Sequence, residues 1–332
     1  MCLSVHAFSM TYQIVVSDSK VIDLESGKAA FAELDATVRT TEAREPEALI
    51  ADAAGADALV VDASTQVTAA VLSSPDSLQV VGRSGIGVDN VDIETAQELG
   101  IRVVNVPDYC LDEVSAHALG MLLSCARKLP VLDAAVKDGE WGWSRARPIR
   151  RIAGQTVGIV GFGKIGRSFA RKLRGFDVDV LAYDPYVSAT DLAGFDVTRV
   201  DFDRLLSDSD FVSIHTPLTD ETRNMFDADA FERMPDHAVL VNTARGPIVD
   251  EDALVAALAA GELGGVGLDV RDPEPPVDAP LADFENVVLS PHAGFYSEAS
   301  RCDLTRSVSE DVARVLQGER PRNPIEPGER WL

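Results

Sequence analysis

The chain has 332 residues, 46% of them hydrophobic, and its 54 acidic against 30 basic side chains give a net charge of −24. That length provides for two domains with their own cores, and no apolar run approaches membrane-spanning length. So negative a balance argues against nucleic acid or an anionic membrane as a direct partner.

The acids are 34 Asp and 20 Glu, spread along the chain, and only 6 of the 30 bases are Lys. A dispersed, Asp-heavy, Lys-poor surface resembles that of proteins from salt-loving organisms, which would give the chain a haloarchaeal origin. There, screening removes the self-repulsion. An ordinary acidic cytosolic protein is the alternative. Cys2, Cys110, Cys125 and Cys302 show no CxxC or metal spacing. They read as reduced thiols of a cytoplasmic protein, with no metal expected. Residues 1–10 (MCLSVHAFSM) lack the basic and apolar regions of a secretory signal. Because the first strand-like run starts at Thr11, residues 1–9 read as an extension or a misplaced start.

From residue 11 to 105 strand and helix patterns alternate. Short Val- and Ile-rich runs at 14–16, 58–61, 78–82 and 101–104 suit strands buried on both faces. Helical patterns, such as 45–53 and 92–99, lie between them, so this part is a small parallel α/β domain. The stretch GRSGIGVDN (82–90) runs off a strand into a glycine-bearing loop. Such a loop can turn consecutive backbone N–H groups on an anion, and Arg83 adds a guanidinium suited to a carboxylate. A tight turn with Asp89 and Asn90 capping the next helix explains the same residues.

Asn105-Val106-Pro107 ends this part, since Pro107 breaks the pattern. A helical pattern follows at 112–128, in which His117 reads as a packing or interdomain residue. The connection 138–155 (DGEWGWSRARPIRRIAGQ) is basic and carries Trp141 and Trp143. It reads as a subunit contact or as a loose surface loop.

The stretch 156–184 (TVGIVGFGKIGRSFARKLRGFDVDVLAYD) is strand, glycine turn, helix, strand and terminal acid. Gly161 permits the turn, Gly163 allows backbone to approach a pyrophosphate, and Gly166 lets helix and sheet pack closely. The N–H groups of Lys164 and Ile165 then meet phosphates at a helix N-terminus. Asp184, 18 residues past Gly166, is placed to accept from both ribose hydroxyls. It would repel a 2′-phosphate, so the cofactor expected is NAD. Strand-like runs resume at 211–215, 238–242, 265–270 and 286–290, and 297–316 reads as one long helix.

Three polar residues follow such runs: Arg245 after 239–243, Glu274 after 265–270 and His292 after 287–290. In open parallel sheets ligands sit just beyond the strands' carboxyl ends. Arginine can hold a 2-oxo acid through two oxygens. Histidine can give a proton to a carbonyl and take it back, and a neighbouring carboxylate favours its imidazolium form. Singly, each has a plainer explanation: a salt bridge, a surface loop and a strand-end cap.

With GRSGIGVDNVD (82–92), GFGKIG (161–166), HTPLTDET (215–222), NTARGPIVDEDAL (242–254), GLDVRDPEPP (267–276) and SPHAGFYSEAS (290–300) in this order, the chain resembles the D-isomer-specific 2-hydroxyacid dehydrogenases. The resemblance implies an α/β chain of two parallel-sheet domains. In it a Rossmann NAD-binding domain (108–297) is inserted into a smaller, discontinuous, flavodoxin-like substrate domain (1–107 and 298–332). It implies hydride transfer between a D-2-hydroxy acid, 3-phosphoglycerate or a related small acid, and its 2-oxo acid.

The resemblance makes Arg245, Glu274 and His292 the catalytic residues. Thr216, Pro217, Thr222, Thr243, Ala244, Asp269, His292 and Gly294 join the glycine turn and Asp184 around the cofactor. Arg83, Ile86, Gly87, Arg245 and Phe295 meet the substrate. It also implies a homodimer formed through the Rossmann domain.

Some stretches look like 3-phosphoglycerate dehydrogenases. Others (VPDYCLDEV, PHAGFYSEAS) are closer to the C-terminal-binding protein branch, so an NAD(H)-sensing, corepressor-like scaffold with secondary dehydrogenase activity is the alternative function. Arg271 stands where relatives often carry Phe or His, and no appended regulatory domain is expected after Leu332.

The charge makes its own prediction. At 0.01 M salt the Debye length is about 30 Å, against about 3 Å at 1 M, so the melting temperature should rise from low salt into molar KCl. A flat melting profile returns the chain to the ordinary acidic class.

Overall fold

The computed structural model describes residues 11–17, 22–188, 190–277 and 280–326. The segment 1–9, read as an extension or a misplaced start, lies outside the described residues. The chain divides into two compact units. One holds the described residues up to Tyr109 together with those from Ser297 onward, and the other is Cys110–Tyr296. The divisions thus fall two residues and one residue from those drawn on the sequence. Asn105 and Val106 belong to the first unit because their N–H groups bond Asn323 and Gly85 carbonyls. Ser297 belongs there because it caps the last helix.

The first unit opens with β1 (Tyr12–Ser17), α1 (Leu24–Phe31), β2 (Ala36–Thr41), α2 (Pro46–Asp52), β3 (Ala58–Val61), α3 (Ala69–Leu72), β4 (Val80–Arg83), α4 (Ile93–Glu98) and β5 (Arg102–Val104). Its parallel strands stand in the order β2-β1-β3-β4-β5, the flavodoxin-like order. All four residues of β3 and of β4 are buried, which is why ALVV of β3 and VVG of β4 read as apolar runs. Edge strand β2 (ATVRTT) exposes three of its six residues and has no such run, so the sequence reading missed it.

The second unit contains α5 (Leu111–Arg127), α6 (Leu129–Lys137), β6 (Thr156–Val160), α7 (Lys164–Leu173), β7 (Asp179–Tyr183), β8 (Thr198–Arg199), α8 (Phe202–Asp208), β9 (Phe211–Ile214), α9 (Ala228–Arg233), β10 (Val239–Asn242), α10 (Glu251–Ala260), β11 (Gly265–Leu268) and β12 (Val287–Leu289). Lys128, left-handed at φ 49°, separates α5 from α6. The parallel sheet runs β12-β11-β10-β9-β6-β7-β8, a doubly wound order that reverses direction between β6 and β9. In open parallel sheets ligand sites form at that reversal, outside the carboxyl ends of the strands.

Helix α11 (Glu298–Leu316) returns the chain to the first unit. Its N-terminus is closed by a capping box of Ser297 and Ser300. Leu304, Val308, Val312 and Leu316, spaced by four, are fully or nearly buried and join Ile14, Val16, Val60 and Val80 in one core. Each such side chain contributes on the order of 1.5–3 kcal/mol by leaving water. Asp311, 1% exposed, accepts from the N–H groups of Arg322 and Asn323 at 2.9 and 3.0 Å, so the following segment folds back on the helix. Among the described residues no helix is long and apolar enough to cross a membrane.

The seat of α11 is Gly82 on β4. A Cβ there would lie 2.7 Å from Val312 Cγ2 and 2.8 Å from Val308 Cγ2. Gly82→Ala should therefore cost about 1–3 kcal/mol through overpacking, read as a drop of several degrees in melting temperature. An unchanged Tm would show that the helix is not seated on this glycine.

Candidate functional site

The turn after β6 is built around Gly161. Its φ is +89°, and a Cβ would come within 2.6–2.8 Å of the Thr216 N–H nitrogen and the His215 carbonyl group. Only glycine both adopts this φ freely and admits the neighbouring strand end so closely. Gly166 in turn lies against the Gly161 carbonyl, 2.2 Å from where its Cβ would be. Gly163 is the N-cap of α7 and has no side chain with which to cap it. In the same unit, α8, α9 and α10 are capped by Asp201, Asp227 and Asp250. The opening N–H groups of α7, from Lys164 and Ile165, are thus left for an outside acceptor, as an anion at a helix N-terminus requires.

Asp184, directly after β7, is 9% exposed. Its two carboxylate oxygens accept from Phe162 N–H (2.8 Å) and Tyr186 N–H (2.9 Å). These bonds tie the acid to the glycine turn, and a carboxylate has about four acceptor positions, so capacity remains for a diol.

After β9, Thr222 Oγ donates to Pro217 C=O at 2.7 Å and receives Thr219 N–H at 2.8 Å. It closes the loop that carries Thr216 and Pro217. His215 in the same motif faces inward. Burial pushes its pKa down to about 3, it packs on Phe169 with ring centroids 5.0 Å apart, and it is a neutral core residue. After β10, fully buried Asn242 receives Ala244 N–H at 2.9 Å and donates to Arg245 C=O at 2.8 Å. This shapes the turn that presents Arg245. Thr243 Oγ is buried with no hydrogen-bond partner among the described residues, an uncommon condition in a native interior and one that a bound cofactor can relieve.

Asp269 and the His292 loop form the tightest part of the site. Asp269 is 3% exposed. Its carboxylate accepts from Ser290 Oγ (2.5 Å), Ala293 N–H (2.8 Å) and Gly294 N–H (2.8 Å), and its carbonyl takes His292 N–H at 2.7 Å. His292 is thereby held at φ +52°, a left-handed conformation that costs a non-glycine residue free energy. On the ring side, His292 Nδ1 is 2.7 Å from Glu274 Oε2, and Phe295 lies edge-on with centroids 6.3 Å apart. The other Glu274 oxygen receives Arg271 N–H at 3.0 Å.

His117, read from the sequence as a packing or interdomain residue, hydrogen-bonds into this cluster. Its Nε2 is 2.8 Å from Ser290 Oγ and 3.4 Å from Asp269 Oδ1. Its helix pattern carried no signal of this, because the partners lie 152 and 173 residues away. Burial pushes the Asp269 carboxyl up, but His117, Ser290 and the two N–H groups outweigh it and hold it at about 2. Asp269 in turn raises the pKa of His117 against the opposing effect of burial.

In the first unit, Arg83 is 4% exposed, and its guanidinium turns into its own loop. It donates to Ser84 C=O at 2.8 Å and to Asn90 Oδ1 at 3.4 Å, and it lies over Gly85, whose φ is +145°. Ile86 and Gly87 are half-buried, with Ile86 C=O held by Asn105 Nδ2 at 2.7 Å.

The doubly wound sheet, the glycine turn opening an uncapped helix and the acid ending β7 define an NAD-binding Rossmann domain. Residues 119–294 match the family described as "D-isomer specific 2-hydroxyacid dehydrogenase, NAD binding domain", and the chain belongs to the D-isomer-specific 2-hydroxyacid dehydrogenase family. A D-3-phosphoglycerate dehydrogenase of Archaeoglobus fulgidus is 38% identical over 293 residues, 88% of this chain and 55% of that protein. The chain thus spans about half the length of the phosphoglycerate dehydrogenases it matches. A hydroxypyruvate reductase of Thermotoga maritima is 36% identical over 280 residues, 83% of this chain and 89% of that protein. The crystal structure of an Aquifex aeolicus D-lactate dehydrogenase complexed with NAD and lactic acid is similar at a TM-score of 0.83 and 26% identity, covering 92% of this chain and 96% of that one. NAD is the cofactor of this domain.

The raised pKa of His117 fixes a sign. Its protonated form adds stability that is fully present below the ordinary value of about 6.5 and is lost as pH rises through the folded value. The excess Tm of wild type over His117→Gln should therefore be larger at pH 5.5 than at pH 8.5. A difference independent of pH would remove the charge from this contact.

Proposed function

We propose that the protein catalyses NAD-dependent interconversion of a small D-2-hydroxy acid and its 2-oxo acid. The observation that carries this reading is the 2.7 Å bond between Glu274 Oε2 and His292 Nδ1. With Nδ1–H donated to the carboxylate, Nε2 is the nitrogen left to exchange a proton with substrate. Arg245, on its Asn242-braced turn, binds the carbonyl and carboxylate oxygens of the 2-oxo acid and orients C2. NAD, when bound, supplies or accepts the hydride at C2. In reduction, imidazolium Nε2–H gives its proton to the carbonyl oxygen; in oxidation, neutral Nε2 takes the hydroxyl proton. Glu274 fixes the tautomer and offsets the positive charge that forms on the ring.

The remaining residues have supporting parts. Lys164 and Ile165 N–H groups take the pyrophosphate, Asp184 the ribose hydroxyls, and Asp269, Thr243 and Gly294 the nicotinamide end. Thr216, Pro217, Thr222 and Ala244 shape the wall against which the cofactor lies, and Phe295 shields the histidine. Ile86 and Gly87 supply backbone N–H groups for a carboxylate, with Arg83 shaping their loop. The relatives are named for phosphoglycerate, hydroxypyruvate and lactate, which supports a small 2-hydroxy acid of that class as substrate.

We also infer a homodimer through the second unit. Trp141 and Trp143 are 92% and 67% exposed, and with Val136 they line an open trough. Buried Cys125 and exposed Cys302 are thiols, which suits a reducing cytoplasm.

Turnover of hydroxypyruvate, pyruvate and 3-phosphohydroxypyruvate with NADH, followed against pH, tests the reading. His292→Ala should lose about 10²–10⁴ in kcat while NADH binding survives. Arg245→Ala should raise KM and lower kcat together. Reduction needs the imidazolium, so its rate falls as pH rises, and Glu274→Gln should move that limb to lower pH. NADH binding without turnover of any 2-oxo acid would favour a nucleotide-sensing scaffold, and an active His292→Ala would end the proposed mechanism.

A further inference from the structure

Glu274 reaches His292 from a loop after β11, and a carboxylate on a loose loop would hold the ring poorly. The loop is held by Arg271. Its guanidinium forks onto Glu251, the first residue of α10, with Nε donating to Oε2 at 2.6 Å and Nη2 donating to Oε1. The Arg271 side chain is 8% exposed and that of Glu251 24%, so the pair is sheltered from solvent screening. On the backbone side, the Arg271 carbonyl packs on Gly246, 2.0 Å from where a Cβ would lie. Its N–H donates to Glu274 Oε1.

Four links therefore run in series. Glu251 sits on α10, whose N-terminus Asp250 caps by accepting Ala253 N–H at 3.1 Å. Arg271 joins that helix end to the loop, Arg271 N–H fixes one oxygen of Glu274, and the other oxygen meets His292. Gly246 also adjoins Arg245, so the same contact sets the Arg245 turn against the Glu274 loop.

We propose that the Arg271–Glu251 fork is a positioning device for the acid–base pair, acting through the Glu274 carboxylate; this rests on the catalytic reading of Glu274 and His292 given above. A bidentate guanidinium fixes direction as well as distance, which a lysine ammonium at the same place does not. Among the described residues, His292 is contacted by Glu274 at Nδ1 and by Asp269, itself paired with His117, at the backbone. Glu274 is contacted by Arg271, which holds Glu251. Because Arg271→Lys keeps the charge and removes the fork, it separates position from electrostatics.

The test measures kcat, KM for NADH and the basic limb of the reduction profile for wild type, Glu274→Gln, Arg271→Lys and the double variant. Arg271→Lys should lower kcat roughly tenfold, short of the ~10²-fold that a full ångström of misplacement can cost. It should move the limb to lower pH and leave KM for NADH within about twofold. In the Glu274→Gln background it should add no further shift, since two residues acting through one contact are not additive. Glu251→Gln, measured as a second route to the same break, should shift the limb in the same direction.

If Arg271→Lys and Glu251→Gln only lower Tm and leave kcat and the limb at wild-type values, while Glu274→Gln moves the limb, the inference is overturned and the functional reading stands. Equal shifts in both backgrounds would overturn it too, because Arg271 would then act independently of Glu274. If Glu274→Gln itself leaves the limb unmoved, the functional reading fails and takes the inference with it.

Discussion

The buried carboxylate of Asp269 is the constraint on which the site depends. A charge 3% exposed is costly unless donors surround it, and this one collects Ser290 Oγ–H, two backbone N–H groups and the approach of His117. The donors do more than satisfy the charge. Two of them belong to the residues just after His292, so the carboxylate fixes the backbone that holds the histidine left-handed. Asp269 itself stands at the end of β11 with its N–H on the Asn242 carbonyl of β10. The carboxyl ends of β10 and β11, the Arg245 turn and the His292 loop are thus hydrogen-bonded into one piece.

On that base the three polar residues divide into two kinds of support. His292 and Arg245 are aimed by backbone geometry, through Asp269 and Asn242 respectively. Glu274 is aimed by side-chain chemistry, through Arg271 and Glu251. The first kind is nearly independent of what is attached to the loop. The second can be tuned by changing one residue, Arg271.

Much of the second unit was legible because its function is encoded locally. Gly161 to Asp184 form one strand-turn-helix-strand unit, and the reasons for its glycines are contacts within it or with the adjacent strand end. The pairing of Glu274 with His292 was legible because each lies a few residues past an apolar run, and in a parallel sheet those ends converge.

What the sequence hid was pairing across long separations. Nothing near His117 points to Ser290, 173 residues on, and nothing near Glu251 at the start of α10 points to Arg271, 20 residues on in a loop. Arg83 shows a related limit: a guanidinium beside glycines suggests an anion, and nothing in the motif announces that it also donates to Ser84 C=O and Asn90 Oδ1 of its own loop. Strand β2 was missed because edge strands need not be apolar, and His215 became a core residue through burial that its motif does not announce.

The central claim is that Glu274 fixes His292 as the Nδ1–H tautomer and leaves Nε2 to the substrate. The chain has five histidines, few enough for ¹⁵N-histidine labelling with assignment through a His292→Gln variant. At alkaline pH, where the ring is neutral, long-range ¹H–¹⁵N spectra should show the His292 Nδ1 shift of a protonated nitrogen and the Nε2 shift of an unprotonated one. Glu274→Gln should weaken or reverse that pattern. An Nε2–H tautomer in wild type, or a pattern indifferent to Glu274→Gln, would contradict the account.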